Sequence, residues 1–66
     1  MQIVVNGEPK SLEPAITLAE LLVQFDLPPR RVAIELNELL VRRTEYERVA
    51  LREGDRVEIV TLVGGG

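Results

Sequence analysis

Neither cysteine nor histidine occurs among the 66 residues of this chain. Those two absences exclude structural disulfides, thiolate and imidazole metal ligands, cysteine nucleophiles and the commonest general base together. What remains for chemistry is Ser11, three threonines, Tyr46, a single lysine at Lys10 and many carboxylates. None of these falls in a recognisable catalytic spacing, so the chain reads as something enzymes act upon rather than as an enzyme. A clustered excess of positive charge is missing too. The formal net charge is −3, whereas phosphate binding is driven by grouped Lys and Arg, and this argues against nucleic acid as a partner. The pairs Arg30-Arg31 and Arg42-Arg43 read as solvated charge. No apolar run approaches the roughly 20 residues of a membrane span, and the first residues lack the basic-then-apolar order of a signal peptide. The expected setting is cytoplasmic, with no membrane partner.

What is present is a short chain with regular turn signals and 45% hydrophobic residues. That suits one small domain with only a few kcal/mol of stability to spare and no room for a cleft-lined active site. Gln2 to Val5 reads as a strand, and Asn6-Gly7 marks a hairpin, because a type I′ turn needs φ > 0 at both central residues. Glu8 to Leu12 returns antiparallel. Pro9 cannot donate to a ladder, which places this second strand at an edge. Thr17 as N-cap, Glu20 three residues on and the Ile16/Leu21 pair form a capping box with a hydrophobic staple. The helix that follows has its apolar face at Leu18, Leu21, Leu22 and Phe25, and Pro28-Pro29 ends it. Val32, Ile34 and Leu36 alternate with Ala33, Glu35 and Asn37 as a third strand. After a turn at Asn37-Glu38 comes a short strand, Leu39 to Val41. Thr44 to Arg48 reads as one helical turn, capped by Thr44 and with Tyr46 facing inward. Arg52 to Asp55 is a turn, and Arg56 to Val63 is the last and longest strand.

The predicted class is α+β: a mixed sheet of four to five strands crossed by one main helix, the β-grasp or ubiquitin-like arrangement. There the first and last strands lie side by side and parallel at the centre, in keeping with their apolar character. Residues 1–63 are expected to form this domain, and residues 64–66 a flexible tail.

The sequence stops at Val63-Gly64-Gly65-Gly66. Glycine lacks a Cβ and tolerates both signs of φ, so such a tail fits a slot too narrow for other residues. At about 3.3–3.6 Å per extended residue it carries the terminal carboxylate roughly 10 Å beyond the last side chain. If Val57 and Ile59 point under the helix, alternation puts Glu58, Val60 and Leu62 on the opposite face of the sheet, near Ala33, Glu35 and Val4. That face is half apolar, rimmed by charge and adjacent to the tail, which are the marks of a docking surface.

The chain resembles the ThiS family, the sulfur carriers of bacterial thiamin biosynthesis. The residues that carry the resemblance are the opening strand with Asn6-Gly7, the stretch Val32-Ala33-Ile34-Glu35-Leu36-Asn37, the segment Val41-Arg42-Arg43-Thr44-Glu45-Tyr46, and Glu53-Gly54-Asp55-Arg56-Val57-Glu58-Ile59-Val60 followed by Gly65-Gly66. Two positions depart from the family pattern: Asn-Gly is common where Asn37-Glu38 stands, and Pro where Arg42 stands. The resemblance implies a cycle in which a ThiF-like adenylating enzyme uses ATP and Mg²⁺ on the Gly66 carboxylate. A persulfide from a cysteine desulfurase route then supplies sulfur, and a ThiG-like thiazole synthase takes it from the resulting thiocarboxylate. Gly66 would be the attachment point, Gly64 and Gly65 would give the tail its slimness, and the chain itself would bind no cofactor. The absence of Cys and the single Lys suit a carrier that must not capture its own activated end. A sulfur carrier for molybdopterin synthesis or tRNA thiolation, a ubiquitin-like protein modifier, and a β-grasp interaction module with incidental glycines are the alternatives.

Overall fold

In the computed structural model, residues 1–62 are described; the expected tail, Gly64 to Gly66, lies outside them together with Val63. Two strands, β1 (Gln2–Val5) and β2 (Glu8–Ser11), form the opening hairpin. Asn6 at φ 50° and Gly7 at φ 81° supply the two left-handed residues that a type I′ turn requires. Helix α1 (Leu18–Gln24) follows, then β3 (Val32–Leu36), β4 (Leu39–Val41) and β5 (Arg56–Thr61). The five strands form one sheet in the order β2-β1-β5-β3-β4. Strand β5 lies between β1, to which it runs parallel, and β3, to which it runs antiparallel. This is the β-grasp expected from the pattern, and β2, which contains Pro9, is an edge as its missing N–H demands.

The start of α1 is saturated with hydrogen bonds. Thr17 Oγ1 accepts from the Glu20 N–H, and the Glu20 carboxylate accepts from the Thr17 N–H, completing the capping box. The next orphan donors find partners in a distant loop: Leu18 N–H donates to the Val49 carbonyl at 3.0 Å and Ala19 N–H to Tyr46 at 2.9 Å. A helix of seven residues is too short to persist unaided. The 46–49 loop therefore serves as an external cap that fixes where the helix begins.

The other end corrects the sequence reading. Pro28-Pro29 does not terminate the helix; Asp26 does, in a left-handed conformation at φ 58°. Leu27 N–H donates to Leu22 O and Asp26 N–H to Val23 O, the paired bonds of a Schellman motif. Phe25 is consequently the C-cap and only half-buried, whereas Leu18, Leu21 and Leu22 are fully buried. The prolines instead open a 3₁₀ turn at Pro29–Arg31. The second correction concerns the predicted turn at Thr44: the 3₁₀ segment runs Arg43–Glu45, its N-cap is Arg42, and no side chain caps it. Tyr46 does face inward, 3% exposed.

The core lies between α1 and one face of the sheet. Ile3, Val5, Val32, Ile34, Val57 and Ile59 come from the strands, and Tyr46 and Leu51 close the side. Among the described residues, all the buried ones are hydrophobic and none is polar or charged. Each fully buried Leu, Ile or Val contributes about 1.5–3 kcal/mol by leaving water. With so few of them, the margin over chain entropy is small.

Candidate functional site

The strongest positional signal is the alternation along β5. Val57 and Ile59 are buried, whereas Glu58, Val60 and Leu62 are exposed, Val60 at 59% and Leu62 at 48%. Among the described residues, the outer face of β5 is therefore exposed. Register then decides which residues meet there: Ala33 pairs with Val60 and Glu35 with Glu58 across β3–β5, and Glu35 also pairs with Leu40 across β3–β4. Ala33, Glu35, Glu58 and Val60 line one shallow depression of about 360 Å³ together with Glu38, Leu40 and Arg56. Val60 and Ala33 form its apolar end, Glu58, Glu35 and Leu40 lie across its middle, and Arg56 and Glu38 stand at the other end.

Two of the expected docking residues lie outside this depression. Val4 shares the outer face but pairs with Arg56, four positions before Val60 on β5 and so roughly 13 Å away along the strand. Leu62 follows the end of β5 on the same face, next to the stretch that leads into the glycines. Leu40, Arg56 and Glu38 are the residues missed in the sequence. Two of them were readable: a two-residue turn at Asn37-Glu38 sets Leu36 against Leu39 and hence Leu40 against Glu35, and alternation from Glu58 reaches Arg56.

Like charges face each other directly at Glu35 and Glu58. Such a cross-strand pair weakens the sheet by a few tenths of a kcal/mol up to about 1 kcal/mol. It lies in the outer-face depression rather than at a structural necessity. Elsewhere, charge does little: Arg48 and Glu45 approach to 3.9 Å on the exposed surface, a pair worth about 0–1 kcal/mol.

Polar side chains hold β5 at its start and in its middle. At its start, Arg56 N–H donates to Asn37 Oδ1 at 2.9 Å, Asn37 N–H donates to Arg56 O at 2.8 Å, and Asn37 Nδ2 donates to Asp55 Oδ1 at 3.1 Å. In its middle Ile59 N–H donates to Asn6 Oδ1 at 2.7 Å and Asn6 Nδ2 donates to Ile59 O at 3.2 Å. Both asparagines were legible as turn residues, but nothing in the pattern announced that they clamp a strand more than fifteen residues away. Among the described residues no group of three or more His, Cys, Asp or Glu is arranged to hold a metal ion. No helix among them is long and apolar enough to cross a membrane.

This sequence and this fold have counterparts among known proteins. The ThiS family model matches residues 3–66, nearly the whole chain. The chain belongs to the ThiS family. It is 43% identical over 61 residues to the sulfur carrier protein ThiS of Thermus thermophilus, an alignment covering 92% of this chain and 94% of that one. It is 42% identical over 66 residues to the thiazole synthase of Magnetococcus marinus, covering 100% of this chain and 20% of that protein. The chain thus spans about a fifth of the length of the thiazole synthases it matches. In three dimensions it is similar to the crystal structure of the thiamine biosynthesis protein ThiS from Geobacter metallireducens, with a TM-score of 0.86, 29% identity and 100% coverage of both chains. Membership of the ThiS family and the β-grasp fold, both expected from the sequence, are established by these matches.

Proposed function

We propose that this ThiS-family chain is a sulfur carrier of thiamin biosynthesis, loaded at the Gly66 carboxylate. The observation that carries the reading is the full-length match to the family and to sulfur carriers of nearly the same length. The chemistry of the chain agrees with it. A terminal carboxylate has a pKa of about 3.3–3.7, is ionised at neutral pH and is a poor electrophile until activated. In the proposed cycle a carboxylate oxygen of Gly66 attacks the α-phosphorus of ATP, held with Mg²⁺ by a ThiF-like partner, and pyrophosphate leaves. The terminal sulfur of a persulfide, made by a cysteine desulfurase or an equivalent source, attacks the acyl carbon and AMP departs. A thiol then cleaves the acyl disulfide, which leaves Gly66 as a thiocarboxylate and the thiol and persulfide carrier as a disulfide. Covalent loading divides one difficult transfer into easier steps.

The acceptor is proposed to be a ThiG-like thiazole synthase. Support comes from the two thiazole synthases that contain a segment similar to the whole of this chain. The docking surface is proposed to be the outer face of β3 and β5, with Ala33, Glu35, Glu58 and Val60 at its centre, Leu62 toward the glycines and Val4 at the far margin. Gly64 and Gly65 serve reach and slimness. In this scheme the chain supplies no catalytic group and binds no cofactor of its own.

ATP–pyrophosphate exchange with the adenylating partner tests the loading step. Exchange should depend on this chain and disappear when one alanine is added after Gly66 or when Gly66 is removed. Undiminished exchange with either variant would rule out Gly66 as the point of activation.

A further inference from the structure

Strand β5 outlasts its neighbour β1. The parallel pairing runs only through Val4↔Arg56 and Val5↔Val57, because the chain turns back at Asn6-Gly7, whereas β5 continues to Thr61. On its other side β3 stays paired through Val32↔Thr61, and Leu62 N–H donates to Arg31 O at 2.7 Å. From Ile59 onward, then, the strand has a backbone partner on one side only. The place where β1 would have continued is taken by one residue. Asn6 N–H donates to Val57 O at 2.8 Å, and its carboxamide both accepts from the Ile59 N–H and donates to the Ile59 carbonyl. A side chain here completes a parallel ladder after its own backbone has left, five positions before Gly64 in the sequence.

We propose that Asn6 is a positioning residue for loading. By holding both polar groups of Ile59 it fixes the direction of β5 from Ile59 to Leu62, so that the strand meets a partner already aligned and less conformational entropy is lost on binding. The inference rests on the carrier reading. Asparagine fits for two reasons: it tolerates the left-handed backbone of the turn, and its amide offers the donor and the acceptor that a strand residue would offer. Aspartate would lack the donor, and glycine would lack both.

The test compares Asn6→Gly with Asn37→Gly. Glycine keeps both turns without strain, and each substitution removes a pair of side-chain bonds, in the middle of β5 for Asn6 and at its start for Asn37, so the two variants lose comparable structural support. Two readouts are taken on the full chain. Amide hydrogen exchange should speed up at Leu62 in Asn6→Gly, a residue Asn6 does not touch, while Ile34 remains protected and Asn37→Gly leaves Leu62 unchanged. In ATP–pyrophosphate exchange with the adenylating enzyme, Asn6→Gly should raise KM roughly three- to tenfold, as the loss of one or two hydrogen bonds dictates, with kcat nearly constant. Asn37→Gly should leave KM alone. Equal KM increases in both variants would reduce Asn6 to a general stabiliser, and an unchanged Leu62 exchange rate in Asn6→Gly would overturn the clamp itself. If the wild-type chain supports no exchange with the enzyme, the carrier reading fails instead, and the Leu62 amide alone decides whether Asn6 directs the strand.

Discussion

Glu38 adopts φ 71° and Asn37 φ 51° in the β3–β4 hairpin. The left-handed region suits Asn, but it costs a longer side chain about 1 kcal/mol or more. Glu38→Gly is therefore expected to stabilise the fold by about 1 kcal/mol, seen as a higher urea midpoint with an unchanged slope. A lower midpoint would mean that Glu38 makes a compensating contact. Tyr46 gives the residue scale its pH dependence. Burial pushes its hydroxyl above the ordinary tyrosine range, with a backbone group of Ile34 and the charge of Arg43 pulling partly the other way. A raised value means that the folded state favours the neutral phenol. That contribution is complete below the unfolded value of about 10 and is lost as pH rises through the folded value. Stability should thus fall above about pH 10, and Tyr46→Phe should flatten that limb of the profile. What was legible at this scale were residues whose chemistry is local: Asn6-Gly7 as a turn, Thr17 with Glu20 as a capping box. Asp26 escaped notice because its left-handed conformation depends on Leu27 reaching back to Leu22, and Pro28-Pro29 offered a more conspicuous stop.

Among the elements, α1 is the most informative, because its seven residues depend on neighbours at both ends. Removing the Thr17 hydroxyl in Thr17→Ala should cost about 1 kcal/mol, since the Glu20 N–H loses its acceptor and the box opens. Leu22→Ala should cost about 2–5 kcal/mol, because the side chain is fully buried. Urea melts measure both, and a near-neutral Leu22→Ala would contradict the packing of α1 on the sheet. The strands were legible because period-2 alternation survives in β1, β3 and β5, where one face meets the helix and the other meets water. The expected Thr44–Arg48 turn instead runs Arg43–Glu45, starting one residue earlier and ending three earlier, for a physical reason. Its position follows the carbonyls of Tyr46 and Val49, which must meet the amides of Ala19 and Leu18, and a contact across nearly thirty residues leaves no local trace.

At the scale of the whole molecule, folding and proposed function divide the sheet between them. One face holds the core and can be read from sequence as a set of apolar positions. The other was readable only as a list of exposed residues; their arrangement needed the strand order, which put Glu35 opposite Glu58 and Leu40 beside them while leaving Val4 at a distance. Leu62→Asp separates the two roles. Leu62 is half exposed on the outer face, so the domain should stay folded while affinity for the adenylating partner drops by tenfold for each roughly 1.4 kcal/mol of lost contact. An unfolded variant would place Leu62 in the core, and normal affinity would move docking elsewhere. The central claim is that Gly66 carries sulfur, and intact mass spectrometry tests it most directly. After incubation with ATP, Mg²⁺, a ThiF-like enzyme and a persulfide source, the chain should gain the mass of one sulfur-for-oxygen exchange, located by fragmentation at Gly66. An unchanged mass, or conjugates to lysine in place of a free thiocarboxylate, would contradict it.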